Sequence, residues 1–246
     1  GEKGGTMSTL ILSIFPGIDL LGRAFEEVWP DACVVRGPDV LWGGDIRSFH
    51  PPADRFDGII GGPPCQAFSQ LRYIVEHNGH RPATNLIPEF ERCVAEARPG
   101  WFLMENVKAA PEPVVPGYAV MSFTLNNRWV GGEQNRIRRF SFGMVGDGAP
   151  DVRLWLSYEA LEPAEWGATV LAHGAPAPGQ RTKAKREGRQ AALNSGSTRA
   201  SVAEALRLQG LPADFFEHSP LTVEGQQRVV GNGVPLQMGR AIAAAV

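Results

Sequence analysis

Apolar runs and amphipathic segments alternate along the first half of the chain. Thr9 to Phe15, TLILSIF, is an unbroken aliphatic and β-branched run that stops at Pro16-Gly17. Ile18, Leu21, Phe25 and Val28 then recur at helical spacing, so a strand, a glycine turn and an amphipathic helix follow one another. ACVVR, FDGIIGG and GWFLMENV read as three further strands, each ending in polar residues or glycine. LIPEFERCVAEARP reads as a helix before the last of these, and the polar stretch ahead of it is long enough to act as a lid. QNRIRRFSFG alternates as a strand and places Arg136 and Arg138 on one face. From Met144 to Ser197 the periodicity fades into an irregular insert, and helical spacing returns in SVAEALRLQGLP and PLQMGRAIAAAV. The pattern is that of an α/β domain with ligands at the carboxyl ends of its strands.

Composition narrows this picture. At 246 residues the chain suits one sizeable domain, and Gly1 to Thr6, ahead of Met7, reads as a tag remnant. No apolar stretch reaches the roughly 20 residues of a membrane span, so the expectation is a soluble, cytoplasmic protein. Three cysteines without CxxC or Cys/His spacing argue against a disulfide framework and a metal site. With 24 Lys and Arg against 26 Asp and Glu, a nucleic-acid surface must come from local clusters such as Gln180 to Gln190.

Three places carry candidate chemistry. Cys65 follows Gly61-Gly62-Pro63-Pro64 at a strand end; taken alone it reads first as a small buried hydrophobe. Stiffened by the prolines and set beside helix-start amides, it would instead be a nucleophile with a favoured thiolate. Glu105 ends the run WFLM and is either a surface acid or a placed carboxyl. Arg136 and Arg138 suit a carbonyl oxygen or a phosphate, or simply a solvated basic strand.

Together these stretches resemble the DNA cytosine C5-methyltransferases. FPGIDLLG is similar to the family's first cofactor motif, GDI to its adenosine contact, GGPPCQAFS to its Pro-Cys loop and FLMENV to the segment with the catalytic acid. QNRIR, STRASVAEALRLQGLPADF and GNGVP follow in family order. The resemblance implies a Rossmann-like class I S-adenosylmethionine-dependent methyltransferase sheet with a small, irregular target-recognition lobe. It divides the chain into a catalytic and cofactor-binding domain over 7–143, a short target-recognition region over 144–197 and C-terminal helices over 198–246.

It also implies roles. Cys65 adds to C6 of a cytosine flipped from double-stranded DNA, Glu105 serves the N3 edge, Arg138 holds O2, and Arg136 supports it. S-adenosyl-L-methionine would be held by Phe15, Gly17, Ile18 and Asp19 after the first strand and by Asp39 on its ribose. Asp45 and Ile46 would take the adenine, Pro63, Asn85 and Leu86 would complete the pocket, and Asn232 and Val234 would close it. Asp19 stands where the family usually has glycine. Ser69, Arg72, Lys183, Lys185, Arg186 and Arg189 would meet the DNA backbone, and the loop from Gln66 to about Asn85 would close over the base. A monomer without metal is expected. The rival readings are a transfer RNA cytosine methyltransferase, an enzyme moving a modified alkyl group, and a DNA-binding protein that has lost catalysis.

Overall fold

A computed structural model describes residues 8–65, 68, 84–148, 150–155 and 201–246. Six strands form one sheet: β1 (Thr9–Ile14), β2 (Ala32–Arg36), β3 (Gly58–Gly61), β4 (Trp101–Asn106), β5 (Tyr118–Asn126) and β6 (Ile137–Val145). Their order is β2-β1-β3-β4-β6-β5. The first four are parallel, and β6 runs antiparallel to both β4 and β5. Parallel strands covered on both faces must be apolar at successive positions, and Ile59 and Ile60, like Phe102 and Leu103, point into opposite cores.

Five α-helices lie among the described residues: α1 (Leu20–Val28), α2 (Ile87–Ala97) and α5 (Leu236–Ala243) against the sheet, and α3 (Val202–Gln209) and α4 (Val223–Asn232) packed on α1 and α5. α2 lays Phe90, Cys93, Val94 and Ala97 on one face of the sheet with Leu12, Ile59 and Phe102. On the other face Phe25 of α1 and Met238 and Ile242 of α5 pack with Ile11, Ile60, Leu103 and Phe140. The carboxyl-terminal segment therefore returns to the first crossover. The contact is close: a Cβ on Gly239 would stand 2.8 Å from that of Ala24. Side-chain caps start α1 at Asp19, α3 at Ser201 and α4 at Thr222.

The four expected N-terminal strands and the first helix are present, as is the helix before β4. Two elements were not read from the pattern. Strand β5 (Tyr118–Asn126) alternates weakly because most of it is half-buried at the sheet edge, and α4 is rich in Gly and Gln. β6 begins at Ile137, so Arg136 lies before the strand rather than on its alternating face. Most of the expected lid and most of the 144–197 region lie outside the described residues. Among the described residues no helix is long and apolar enough to cross a membrane.

Candidate active site

The parallel strands β1, β3 and β4 end side by side, and the residues just beyond them form the site. Gly61 closes β3 against β1, where a Cβ would come 2.6 Å from the Ile14 carbonyl. The chain then passes through Gly62-Pro63-Pro64 to the partly buried Cys65. Asn106, buried at the end of β4, donates through Nδ2 to the Pro63 carbonyl at 3.0 Å. That bond ties the Pro-Cys turn to the strand carrying Glu105.

Glu105 is 8% exposed and lies opposite Phe140 in the β4–β6 ladder. Arg138, two residues from Phe140 along β6, is therefore Glu105's diagonal neighbour on the same face. Its Nε lies 2.9 Å from Glu105 Oε1. Burial pushes the Glu105 carboxyl above its ordinary range, against the pull of Arg138 and Arg136. A proton on Glu105 is thereby favoured. The Cys65 thiol is also pushed up, by burial and then by Glu105, with Arg138 and Arg136 opposing. This differs from the expected thiolate-favouring setting, because desolvation and a nearby carboxylate outweigh the arginines in the unliganded site.

Arg136 is placed differently from Arg138. It is 2% exposed, and its Nη2 donates to the carbonyls of Gly231 at 2.9 Å and Gly233 at 3.1 Å. Gln134, fully buried, donates to the Leu208 carbonyl, and Gln209 donates to that of Val230. The QNR turn thus grips the ends of α3 and α4, and the preceding Glu133 pairs with Arg207 of α3. Burial, with Arg138 beside it, lowers Arg136 to about 9, opposed by Glu105 and Cys65. Arg136 belongs to the electrostatic surroundings of Cys65 while its hydrogen bonds hold the turn after α4.

A cleft opens between these elements. Phe15, Asp19, Gly61, Gly62, Glu105, Asn232 and Val234 line it, with Ser13, Ile14, Pro16, Leu20, Leu21 and Gly233. Phe15, Gly17 and Asp19 all have positive φ, so the chain leaving β1 folds tightly back into α1. Phe15, Asp19, Asn232 and Val234 are thus brought together from distant parts of the sequence. Asn232, expected to close the cofactor pocket, is the exposed last residue of α4.

The other expected cofactor residues stand outside that lining. Asp39 accepts from the amides of Leu41 and Gly17, and the Trp42 indole donates to the Gly17 carbonyl, so this segment braces the turn after β1. Ile18 and Trp42 line a separate surface depression with Phe215 and Phe216. Asp45 caps a short turn and pairs with Arg47, while Ile46 is buried in the core. Arg92 of α2 fastens that turn through the Ile46 and Phe49 carbonyls, a support with no signal in the sequence pattern. Pro63 offers its carbonyl to Asn106, Asn85 caps the amide of Ile87, and Leu86 packs against the α2 core. Ser69, Arg72, Lys183, Lys185, Arg186 and Arg189 lie outside the described residues.

A mixed sheet of this order with helices on both faces has the α/β fold of the S-adenosylmethionine-dependent methyltransferases. It is shared with the Dnmt2 methyltransferase of S. pombe, at a TM-score of 0.62 and 13% identity over 96% of this chain and 98% of that one. Dnmt2 of Spodoptera frugiperda gives 0.61 at 16% identity, over 95% and 98%. The C-5 cytosine-specific DNA methylase family matches residues 42–113. Type II methyltransferase M.FnuDI of Fusobacterium nucleatum is 35% identical over 164 residues, covering 56% of this chain and 47% of that protein. M.DdeI of Desulfomicrobium norvegicum is 35% identical over 177 residues, 56% of this chain and 41% of its own length. M1.HphI of Haemophilus parahaemolyticus is 43% identical over 83 residues, 34% and 22%. The chain therefore spans less than half the length of these relatives. Within the methyltransferase fold, the chain is similar to the C-5 cytosine-specific DNA methylases over residues 42–113 and to these Type II methyltransferases over 34% to 56% of its length.

Proposed function

We propose that this chain is a DNA (cytosine-5)-methyltransferase acting on a cytosine flipped from double-stranded DNA, with S-adenosyl-L-methionine as cofactor. The observation that carries the reading is the convergence of Cys65, Glu105 and Arg138, with the Arg138–Glu105 pair at 2.9 Å. The cleft beside them would hold the cofactor: Phe15, Asn232 and Val234 line it, and at Gly62 a Cβ would crowd the Glu105 carboxyl at 3.1 Å. When bound there, S-adenosylmethionine supplies an electrophilic methyl group on a cationic sulfur.

The chain's own residues would prepare cytosine to receive it. Cytosine C5 is a poor nucleophile until a group adds at C6. Cys65 loses its proton and its sulfur bonds to C6, moving the ring's electrons toward C5. Glu105, whose burial favours a proton, donates to N3 as negative charge develops there. Arg138 holds the O2 carbonyl and, already paired with Glu105, needs little reorganisation. Once C5 is substituted, loss of its proton re-forms the C5–C6 double bond and breaks the S–C6 bond, returning the Cys65 thiolate. Ser69, Arg72 and the basic run from Lys183 to Arg189 would contact the phosphates.

The test is covalent trapping. Mixed-sequence duplex DNA containing 5-fluorocytosine, incubated with cofactor, should give an adduct that maps to Cys65, because fluorine cannot leave as the proton does. Transfer RNA carrying the same base is the comparison. No adduct on duplex DNA, or one on transfer RNA alone, would sink the assignment.

A further inference from the structure

Arg138 and Arg139 are consecutive in β6, so their side chains leave opposite faces of the sheet. Arg138 goes to Glu105. Arg139 stands opposite Asn106 in the β4–β6 ladder, and paired residues of such a ladder share a face, here the one that α2 covers. Half-buried there, Arg139 donates from Nη1 to the Ala110 carbonyl at 2.7 Å. Ala110 ends the turn that follows β4. Its amide donates to the Val107 carbonyl at 3.0 Å, and the Val107 amide donates to Asn106 Oδ1 at 2.8 Å. Asn106 Nδ2 in turn donates to the Pro63 carbonyl at 3.0 Å, just ahead of Pro64 and Cys65. An unbroken chain of hydrogen bonds thus runs from β6 to the Pro-Cys turn.

We propose that Arg139 is a positioning residue for Cys65, acting through the turn over 107–110 and Asn106, an assignment that rests on the reading of Cys65 as the attacking group. The Asn106 amide is buried, and it can offer Nδ2 to Pro63 in this orientation because the Val107 amide occupies its Oδ1. The turn therefore sets the amide, and Arg139 holds the far end of the turn. A guanidinium bonded to a carbonyl is charge-assisted and stronger than a neutral pair. Ala110 keeps its methyl group in the core, so loss of Arg139 loosens the turn rather than the fold. The Asn106 amide can then rotate and release the Pro63 carbonyl. Attack on C6 needs the sulfur within about 3–3.5 Å and aligned, and a misplacement of about 1 Å costs on the order of a hundredfold. Loosening passed along a chain of bonds costs less, about tenfold in the rate of attack. Adjacent arginines thereby serve one centre from the two faces of the sheet, Arg138 at Glu105 and Arg139 behind Cys65.

Arg139→Met removes the donor and keeps the aliphatic stem. Duplex DNA carrying 5-fluorocytosine, with DNA and S-adenosylmethionine both saturating, reads the rate of adduct formation at Cys65. The expected rate is about tenfold lower in Arg139→Met, and part of it returns in Arg139→Lys, which keeps a charged donor. Affinity for S-adenosylhomocysteine and the salt dependence of DNA binding should match wild type. An Arg139→Met rate within about twofold of wild type overturns the proposal, even with a lower thermal midpoint, and leaves Arg139 as a brace for the fold. A salt slope shallower by about one also overturns it, because Arg139 would then be neutralising a phosphate. If Arg139→Met does not fold, Arg139→Gln, whose amide ends short of the guanidinium, carries the same expectations and the same overturning results. Wild-type protein that forms no adduct at Cys65 instead refutes the reading of Cys65, and this assignment with it.

Discussion

Replacing Arg136 by methionine separates two roles that this arginine could play. Its Nη2 serves two backbone carbonyls, Gly231 at 2.9 Å and Gly233 at 3.1 Å, at the turn that sets Asn232 and Val234 in the cleft. Hydrogen bonds to a charged group contribute about 1.5–3 kcal/mol each, so the gross loss is about 3–6 kcal/mol. Methionine fills much of the volume and recovers part of the cost of burying a cation, a cost visible in the lowering of Arg136 to about 9. Gly233 also keeps a long bond from Gln209 at 3.3 Å. The net destabilisation expected is about 2–4 kcal/mol, within the range for breaking a buried charged network. Urea unfolding should show the lower midpoint at an unchanged slope. Cofactor affinity, measured by calorimetry, should fall because the turn is no longer held. A loss below about 1 kcal/mol with intact cofactor binding but absent turnover would refute this account, and would place Arg136 on the base instead.

Gly61→Ala should destabilise by about 1–3 kcal/mol, since its Cβ would meet the Ile14 carbonyl at 2.6 Å and backbone cannot rotate away as a side chain can. Thermal unfolding checks this, and an unchanged midpoint would mean that β1 and β3 separate readily. Glu105→Gln should abolish turnover yet alter two other readouts. Burial raises the Glu105 pKa, so its contribution to stability is full below the ordinary glutamate range and is lost as pH rises through the folded value. The variant's stability should therefore decline less with rising pH than the wild type's. Glu105 also raises the Cys65 thiol, so alkylation of Cys65 near pH 8 should be faster in the variant, followed by peptide mass mapping to set aside the exposed Cys33. Slower or equal labelling would show that the two groups are not coupled.

Local periodicity made much of this protein legible before any folding was considered. Thr9–Ile14, Gly58–Gly61 and Trp101–Asn106 are strands because continuous β-branched and aliphatic runs suit strands buried on both faces. Cys65 and Glu105 were legible as candidates at the carboxyl ends of parallel strands, while their joint role with Arg138, near the amino end of the antiparallel β6, came from the resemblance of the ordered motifs. The partners of buried charge were not legible. Nothing adjacent to Arg136 in the chain says that it turns toward carbonyls 95 and 97 residues away. Nor did the pattern say that Arg47, two residues on, pairs with Asp45.

The amino-acid sequence by itself determined which segments form strands and helices, and which reactive groups stand at their ends, because side-chain period and turn chemistry act over a few residues. Tertiary structure alone decided which of those groups share a site. The return of α5 onto α1, the antiparallel insertion of β6 between β4 and β5, and the left-handed turn at Asp19 are settled by packing between distant segments. That same packing sets the desolvation that raises Glu105 and Cys65 and lowers Arg136, because burial is a property of the assembled fold and not of neighbours in the chain.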